Sequence, residues 1–214
     1  MKFPEFFDQV PRLRVQDPLA RILGSAADGI FEYSYSDAVR LAGHSCPTVA
    51  AAYWLTFLAL EHLYPDSLPQ RGGIRVEMRE DARCGTTGVV ATIVQMLTGA
   101  AGGTGFKGIG GRFARVNLIR YTPDLLLTMR FIRQDKRAAV DVHADVALAP
   151  SHPQTEQLLE KCLAEKASPQ EQLLLGELWQ LRVRHLLLDS ARDPAVFVVR
   201  PAEKRMPHRT LEVA

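Results

Sequence analysis

The sequence predicts an α+β protein: an antiparallel sheet packed with helices, plus a C-terminal helical extension. Three observations carry this. Gly72 to Arg79 alternates apolar and polar residues, with Ile74, Val76 and Met78 against Arg75, Glu77 and Arg79, and stands between two long apolar runs of helical spacing. Three further strand candidates follow one another after a glycine-rich stretch, separated only by short turns. Beyond Pro150 the texture becomes helical.

Residues 1–36 read as an N-terminal arm punctuated by Pro4, Pro11, Pro18, Gly24 and Gly29, with a short helix from Asp17 to Ala27 that Asp17 caps and Pro18 opens. From Ser36 to Ala42 a helical turn or two leads into Gly43-His44-Ser45-Cys46-Pro47. A buried helix of about four turns follows, marked by Val49, Ala50, Tyr53, Trp54, Phe57, Leu58 and Leu60. After the strand at Gly72 to Arg79, a second helix from about Thr86 to Thr98 is apolar almost all round and ends at Gly99. Gly99 to Gly111 holds seven glycines. The strands Ala114 to Tyr121, Leu125 to Gln134 and Ala138 to Leu148 then form an antiparallel meander, with turns at Thr122-Pro123-Asp124 and Asp135-Lys136-Arg137. Helices at Gln154 to Ala167 and Pro169 to Ser190, the latter with Ser168 and Glu171 as a capping box, and a last strand at Ala195 to Arg200 complete the chain before a polar tail. The organisation is an arm (1–36), an α+β domain (37–150) and a helical extension ending in a strand (151–214).

The 214 residues are 47% hydrophobic and 23% charged, which excludes disorder, collagen and coiled coil as global descriptions. With 26 Lys and Arg against 24 Asp and Glu, the net charge of +2 points to neither a nucleic acid nor a membrane surface. No run approaches 18 uncharged apolar residues, and Pro4, Glu5 and Asp8 interrupt the start where a signal peptide would be apolar. A cytoplasmic protein is expected, with its three cysteines reduced.

His44 and Cys46 stand just before one predicted helix, and Cys84 just before the other. Unpaired backbone N–H groups and the positive end of the helix dipole favour an anion at such positions, and the thiolate is the form of cysteine that binds metal. One imidazole and two thiolates suit zinc or a similar divalent transition ion, with a fourth position open. The plainer reading keeps the two cysteines as small buried hydrophobes and His44 as a cap residue.

Ala42 to about Tyr121 resembles the FmdE-like family, named for a component of formylmethanofuran dehydrogenase. The likeness rests on Gly43-His44-Ser45-Cys46-Pro47 opening a helix, on Glu80-Asp81-Ala82-Arg83-Cys84-Gly85 opening a second, and on Leu97-Thr98-Gly99 closing that helix before a glycine-rich loop. The resemblance implies an α+β, often dimeric, metal-binding protein in which His44, Cys46 and Cys84 hold zinc or another divalent transition metal. It departs at Thr87 and Ala100, where the family commonly carries an aspartate and a cysteine, so a lost ligand or a changed metal is implied. The alternative is a haem or other metallocofactor carrier that uses the Cys46-Pro47 pair.

Asp141, His143 and Asp145 alternate along a strand and so share a face, either as a second ligand set or as a solvated surface. His143 is the candidate for a fourth ligand or a general base. Gly103 to Gly108 satisfies the dinucleotide pattern but follows a helix and precedes a strand, the reverse of the order that fold needs. Lys107 and Arg112 in that loop are candidates for binding an anionic ligand, with the loop expected to fold back over the metal. The apolar residues of the arm (Phe3, Phe6, Phe7) and of the last helix (Leu173, Leu174, Leu178, Trp179, Leu186) predict a homodimer.

Overall fold

A computed structural model describes residues 2–203. The chain begins with a 3-10 turn, Glu5–Gln9, that buries Phe6 and Phe7. Strands β1 (Leu13–Gln16) and β2 (Ile30–Tyr33) pair antiparallel around helix α1 (Pro18–Ile22). Asp17 caps α1 as expected, accepting from the Leu19 and Ala20 N–H groups with Pro18 in the first turn. The helix stops at Ile22, short of Ala27, because the chain turns back through Gly29, whose φ of 71° brings it against the Asp17 carbonyl.

Helix α2 (Tyr35–Ala42) starts on a Ser34–Asp37 capping box and ends at left-handed Gly43. Helix α3 (Pro47–Leu63) follows, then β3 (Ile74–Met78) and α4 (Thr87–Thr98). The remaining elements are β4 (Ile119–Tyr121), β5 (Met129–Arg133), β6 (Ala139–Ala144), α5 (Thr155–Leu163), α6 (Pro169–Arg184) with a π-helical turn at His185–Asp189, and β7 (Phe197–Pro201). The polar tail beyond residue 203 lies outside the described residues. Among the described residues no helix is long and apolar enough to cross a membrane.

The fold is α+β, and its main sheet has the order β4-β3-β5-β6-β7. The expected meander is corrected at its first strand. β4 is only three residues long and pairs parallel with β3, while β3, β5, β6 and β7 are joined antiparallel. Residues 114–118 form no strand because the N–H groups of Arg115, Val116, Asn117 and Leu118 bond to carbonyls of Phe106, Gly102 and Ala101 in the glycine-rich loop. With α4 between them, β3 and β4 form a parallel crossover.

The inner face of the sheet contributes Ile74, Val76, Met78, Met129, Phe131, Val140 and Val142 to a core shared with α3 and α4. Phe6, Phe7 and Val10 from the arm, and Leu186, Leu187 and Phe197 from the extension, belong to the same cluster. The three expected segments therefore share one core, and Phe6 and Phe7 are not available to a partner. The outer face carries a row of alternating charge through register neighbours Arg120, Glu77, Arg130, Asp141 and Arg200, one on each strand. Asp141 accepts two hydrogen bonds from Arg130, at 2.5 and 2.9 Å.

A buried ion cluster ties the arm to the domain. Asp17, only 2% exposed, meets Arg71 at 2.9 Å and Arg115 at 2.7 Å. Burial raises the pKa of its carboxyl, but the hydrogen bond and charge of Arg115, the Ala20 amide and the charge of Arg71 outweigh it, leaving the group below the ordinary aspartate value. A depressed carboxylate stabilises the fold above its unfolded pKa of about 4, and the contribution disappears as pH falls through the lower folded value. Asp17→Asn leaves two arginines uncompensated, so a loss of about 3 kcal/mol at pH 7 is expected in urea denaturation. The gap between wild type and variant should begin to narrow below about pH 4 and close only once pH has fallen through the lower folded value.

Candidate functional site

Both cysteine-bearing helix starts lie at one end of the molecule. The Gly72 N–H donates to the Thr98 carbonyl at 2.8 Å, so α4 finishes where β3 begins and must start near the end of β3. Arg133, opposite Ile74 in register, donates to the Leu63 carbonyl at 2.8 Å, which puts the end of α3 at that same sheet edge. A 17-residue helix is about 25 Å long, so Pro47 lies at the other end, beside the start of α4. Helices α3 and α4 are therefore parallel.

His44 follows the left-handed Gly43 and is exposed. Its Nδ1 lies 3.0 Å from the Ala42 carbonyl, while Nε2 has no hydrogen-bond partner among the described residues. An imidazole anchored through one nitrogen to a backbone carbonyl, with the other nitrogen free, is the usual arrangement of a metal-binding histidine. Cys46 is the N-cap of α3, half-buried against the core. Cys84 is exposed, two residues before the Thr86 N-cap of α4, in a turn closed by its N–H to the Asp81 carbonyl.

Ser45 fixes the segment between His44 and Cys46. Its carbonyl accepts from Trp179 Nε1 at 3.0 Å and from Gln180 Nε2 at 3.3 Å. Its hydroxyl donates to Gln180 Oε1 at 2.9 Å and lies 2.9 Å from the Tyr35 hydroxyl. Burial raises the Tyr35 pKa against the lowering effect of that bond, so the phenol stays protonated and donates to Ser45. Helix α6 thus holds the start of α3 through two side chains, of which the sequence pattern assigned Trp179 to a dimer surface and gave no role to Gln180.

His143 is at the same end, since β6 pairs with β5 so that Val142 faces Met129 and Met129 in turn faces Met78, the last residue of β3. It stands on the outer face, because Val140 and Val142 point into the core, and its Nδ1 lies 2.7 Å from Thr128 Oγ1. The expectation that His143 joins the cysteines from within one chain is corrected by this alternation: the sheet separates it from α3 and α4. Asp141 and Asp145 do not form a ligand set with it either. Asp141 pairs with Arg130, and Asp145 caps a 3-10 turn through the Ala147 N–H.

Among the described residues no three His, Cys, Asp or Glu side chains lie close enough together to hold a metal ion. His44, Cys46 and Cys84 are competent donors brought to one end but not gathered around one point. Lys107 and Arg112 are at the opposite end. The Ala101 N–H donates to the Arg115 carbonyl, the Arg115 N–H to Phe106 and the Asn117 N–H to Gly102, so the glycine-rich loop folds on its own continuation instead of returning toward Cys84. Helix α4 separates the two ends by about 18 Å.

Two further groupings have no signature in the sequence pattern. The partners of Asp17 are 54 and 98 residues away, beyond any local pattern. At the π-helical turn, Ser190 Oγ lies 3.0 Å from His185 Nε2, and His185 Nδ1 lies 3.4 Å from Asp189 Oδ2. Ser190 is buried and Asp189 also accepts from Arg184, so this serine–imidazole–carboxylate chain closes the end of α6.

No family model matches the chain, and no curated protein matches it.

The thiols differ in access. Iodoacetamide should label Cys84 first and the half-buried Cys46 several-fold more slowly, as read by peptide mass spectrometry. Trp179→Phe removes the donor to the Ser45 carbonyl. A loss of about 1 kcal/mol and faster labelling of Cys46 are the expected results.

Proposed function

We propose that the chain is a metal-binding protein of the FmdE-like kind, taking one zinc or similar divalent transition ion on His44, Cys46 and Cys84. The observation that carries the reading is the pairing of two parallel helix N-termini, each with a cysteine at or just before its cap, next to a histidine whose Nδ1 is tethered and whose Nε2 is free. The donor chemistry fits the ion; what the single chain lacks is convergence. The exposed Asp81–Thr86 turn, where nothing among the described residues lies within 4 Å of a Cβ at Gly85, has room to bring Cys84 toward Cys46 when a metal binds. A second copy of the chain, meeting the first across the exposed Leu173 and Leu181 of α6, is the proposed assembly. Three unpaired thiols suit a reducing compartment, and the cytoplasm is the proposed location.

A bound ion would supply Lewis-acid character and an open position for a ligand. The chain's own contribution is to hold the His44–Cys46 segment rigid through Ser45, Trp179 and Gln180.

Metal analysis of protein purified without a histidine tag should find about one transition ion per chain. Titration with cobalt should give a thiolate-to-metal absorption band. Cys46→Ser and Cys84→Ser should each weaken binding by about tenfold or more. Unchanged cobalt binding in both variants would overturn the assignment, and an intense Soret band would replace zinc with haem.

A further inference from the structure

At the end of the molecule away from the cysteines, a cleft of about 350 Å³ is lined by Arg71, Arg112 and Arg115 together with Gln134, Phe113 and Ala114, and no acidic residue among the described residues lines it. Behind it lies Asp17, which accepts from the Leu19 and Ala20 N–H groups, from Arg71 Nη1 and, through both oxygens, from Arg115 Nη2. That carboxylate is saturated. Two guanidiniums held by one carboxylate leave a net positive charge, to which Arg112 adds another.

The donors are also incompletely used. Arg71 gives Nη1 to Asp17 and Nη2 to the Met96 carbonyl, while its Nε is buried and has no partner among the described residues. A buried N–H donor without an acceptor is costly and uncommon. Arg112 forms no ion pair among the described residues, and its guanidinium stands 4.8 Å over the Phe113 ring. Phe113 has a φ of 62°, an unusual conformation for an aromatic residue, and the Phe113 and Ala114 N–H groups donate to no protein acceptor among the described residues. Strained backbone with successive free N–H groups beside arginines is a recurring form of oxyanion site. Gln134 donates through Nε2 to the Gly72 carbonyl, which fixes its amide at the rim.

The geometry points to a binding site for a phosphate-sized, doubly charged oxyanion, either free phosphate or the phosphate group of a small monoester, recognised by Arg112, Arg71 and Arg115 and by the Phe113–Ala114 amides. The volume is at the low end for ligand pockets, which suits a small anion rather than a large cofactor. Guanidiniums suit the assignment because their forked N–H groups match phosphate oxygens. The site is independent of the metal reading, since it shares no residue with His44, Cys46 or Cys84.

Calorimetric titration of the full chain at low ionic strength, once with inorganic phosphate and once with glycerol phosphate, tests this. Saturable binding of at least one is expected, with acetate much weaker. Tighter binding of the ester identifies a phosphorylated metabolite as the source, and equal or tighter binding of inorganic phosphate identifies the free anion. Arg112 lies outside the Asp17 cluster, so Arg112→Ala should keep the wild-type Tm yet weaken binding by about tenfold, the loss of one charge-assisted contact. Gln134→Ala should weaken it by about two- to threefold. Cys46→Ser should leave it unchanged. No heat from either anion up to about 20 mM, or wild-type affinity in Arg112→Ala, would overturn the proposal.

Discussion

Helix α3 buries 12 of its 17 residues, so it needs cover on nearly every side, and the rest of the molecule is arranged to provide that cover. A rod of this kind gives apolar contact but little directional registration. Registration comes from polar groups at its surface. Tyr53 donates toward the Pro11 and Tyr33 carbonyls, binding the arm and the β1–β2 pair. Trp54 donates to the Ala191 carbonyl, binding the extension, and Arg133 reaches the Leu63 carbonyl from the sheet. Each buried donor has one place where it is satisfied, and together these bonds define how three segments of chain meet one helix.

The parallel arrangement of α3 and α4 divides the chemistry between two ends. At one, the helix N-termini present His44, Cys46 and Cys84 where backbone N–H groups favour anionic ligands. At the other, the end of α4 and the glycine-rich loop meet Arg71 and Arg115, which share a single buried carboxylate, with Arg112 beside them. Gly99 is required there, because at φ of 71° a Cβ would lie 3.0 Å from Arg115 Nη1 and 3.1 Å from the Gly72 nitrogen. A side chain there would adopt a rarely populated backbone conformation and require the Arg115 guanidinium and the Gly72 backbone to give by a few tenths of an ångström.

The outer face of the sheet is polar without being loosely solvated. Glu77, Arg130 and Asp141 are each less than 10% exposed. Cross-strand neighbours of opposite sign cover one another, and the Arg130–Asp141 pair raises the arginine pKa through its hydrogen bonds. His143 lies on this face, with Thr128 as its partner, and so belongs chemically to the sheet surface rather than to the helix N-termini.

Several local signals were legible in the sequence and held, although α1 ended earlier than its pattern suggested. The 3.6-residue period marked α3 and α4. The period of two marked β3, Pro47 and Gly99 marked helix ends, and the Ser168–Glu171 capping box marked the start of α6. The helix-start positions of Cys46 and Cys84 were readable for the same reason. Residues 114–118 looked like a strand because their composition permits extended backbone, yet hydrogen bonds to the loop left only Ile119–Tyr121 to pair, and paired it parallel. Tertiary structure alone decided which side of the sheet His143 takes, which end the glycine-rich loop occupies, and that Asp17 joins arginines 54 and 98 residues away. The physical reason is range: caps, turns and periodicity act within a few residues and are written in neighbouring letters, whereas burial and ion pairing depend on which distant surfaces meet.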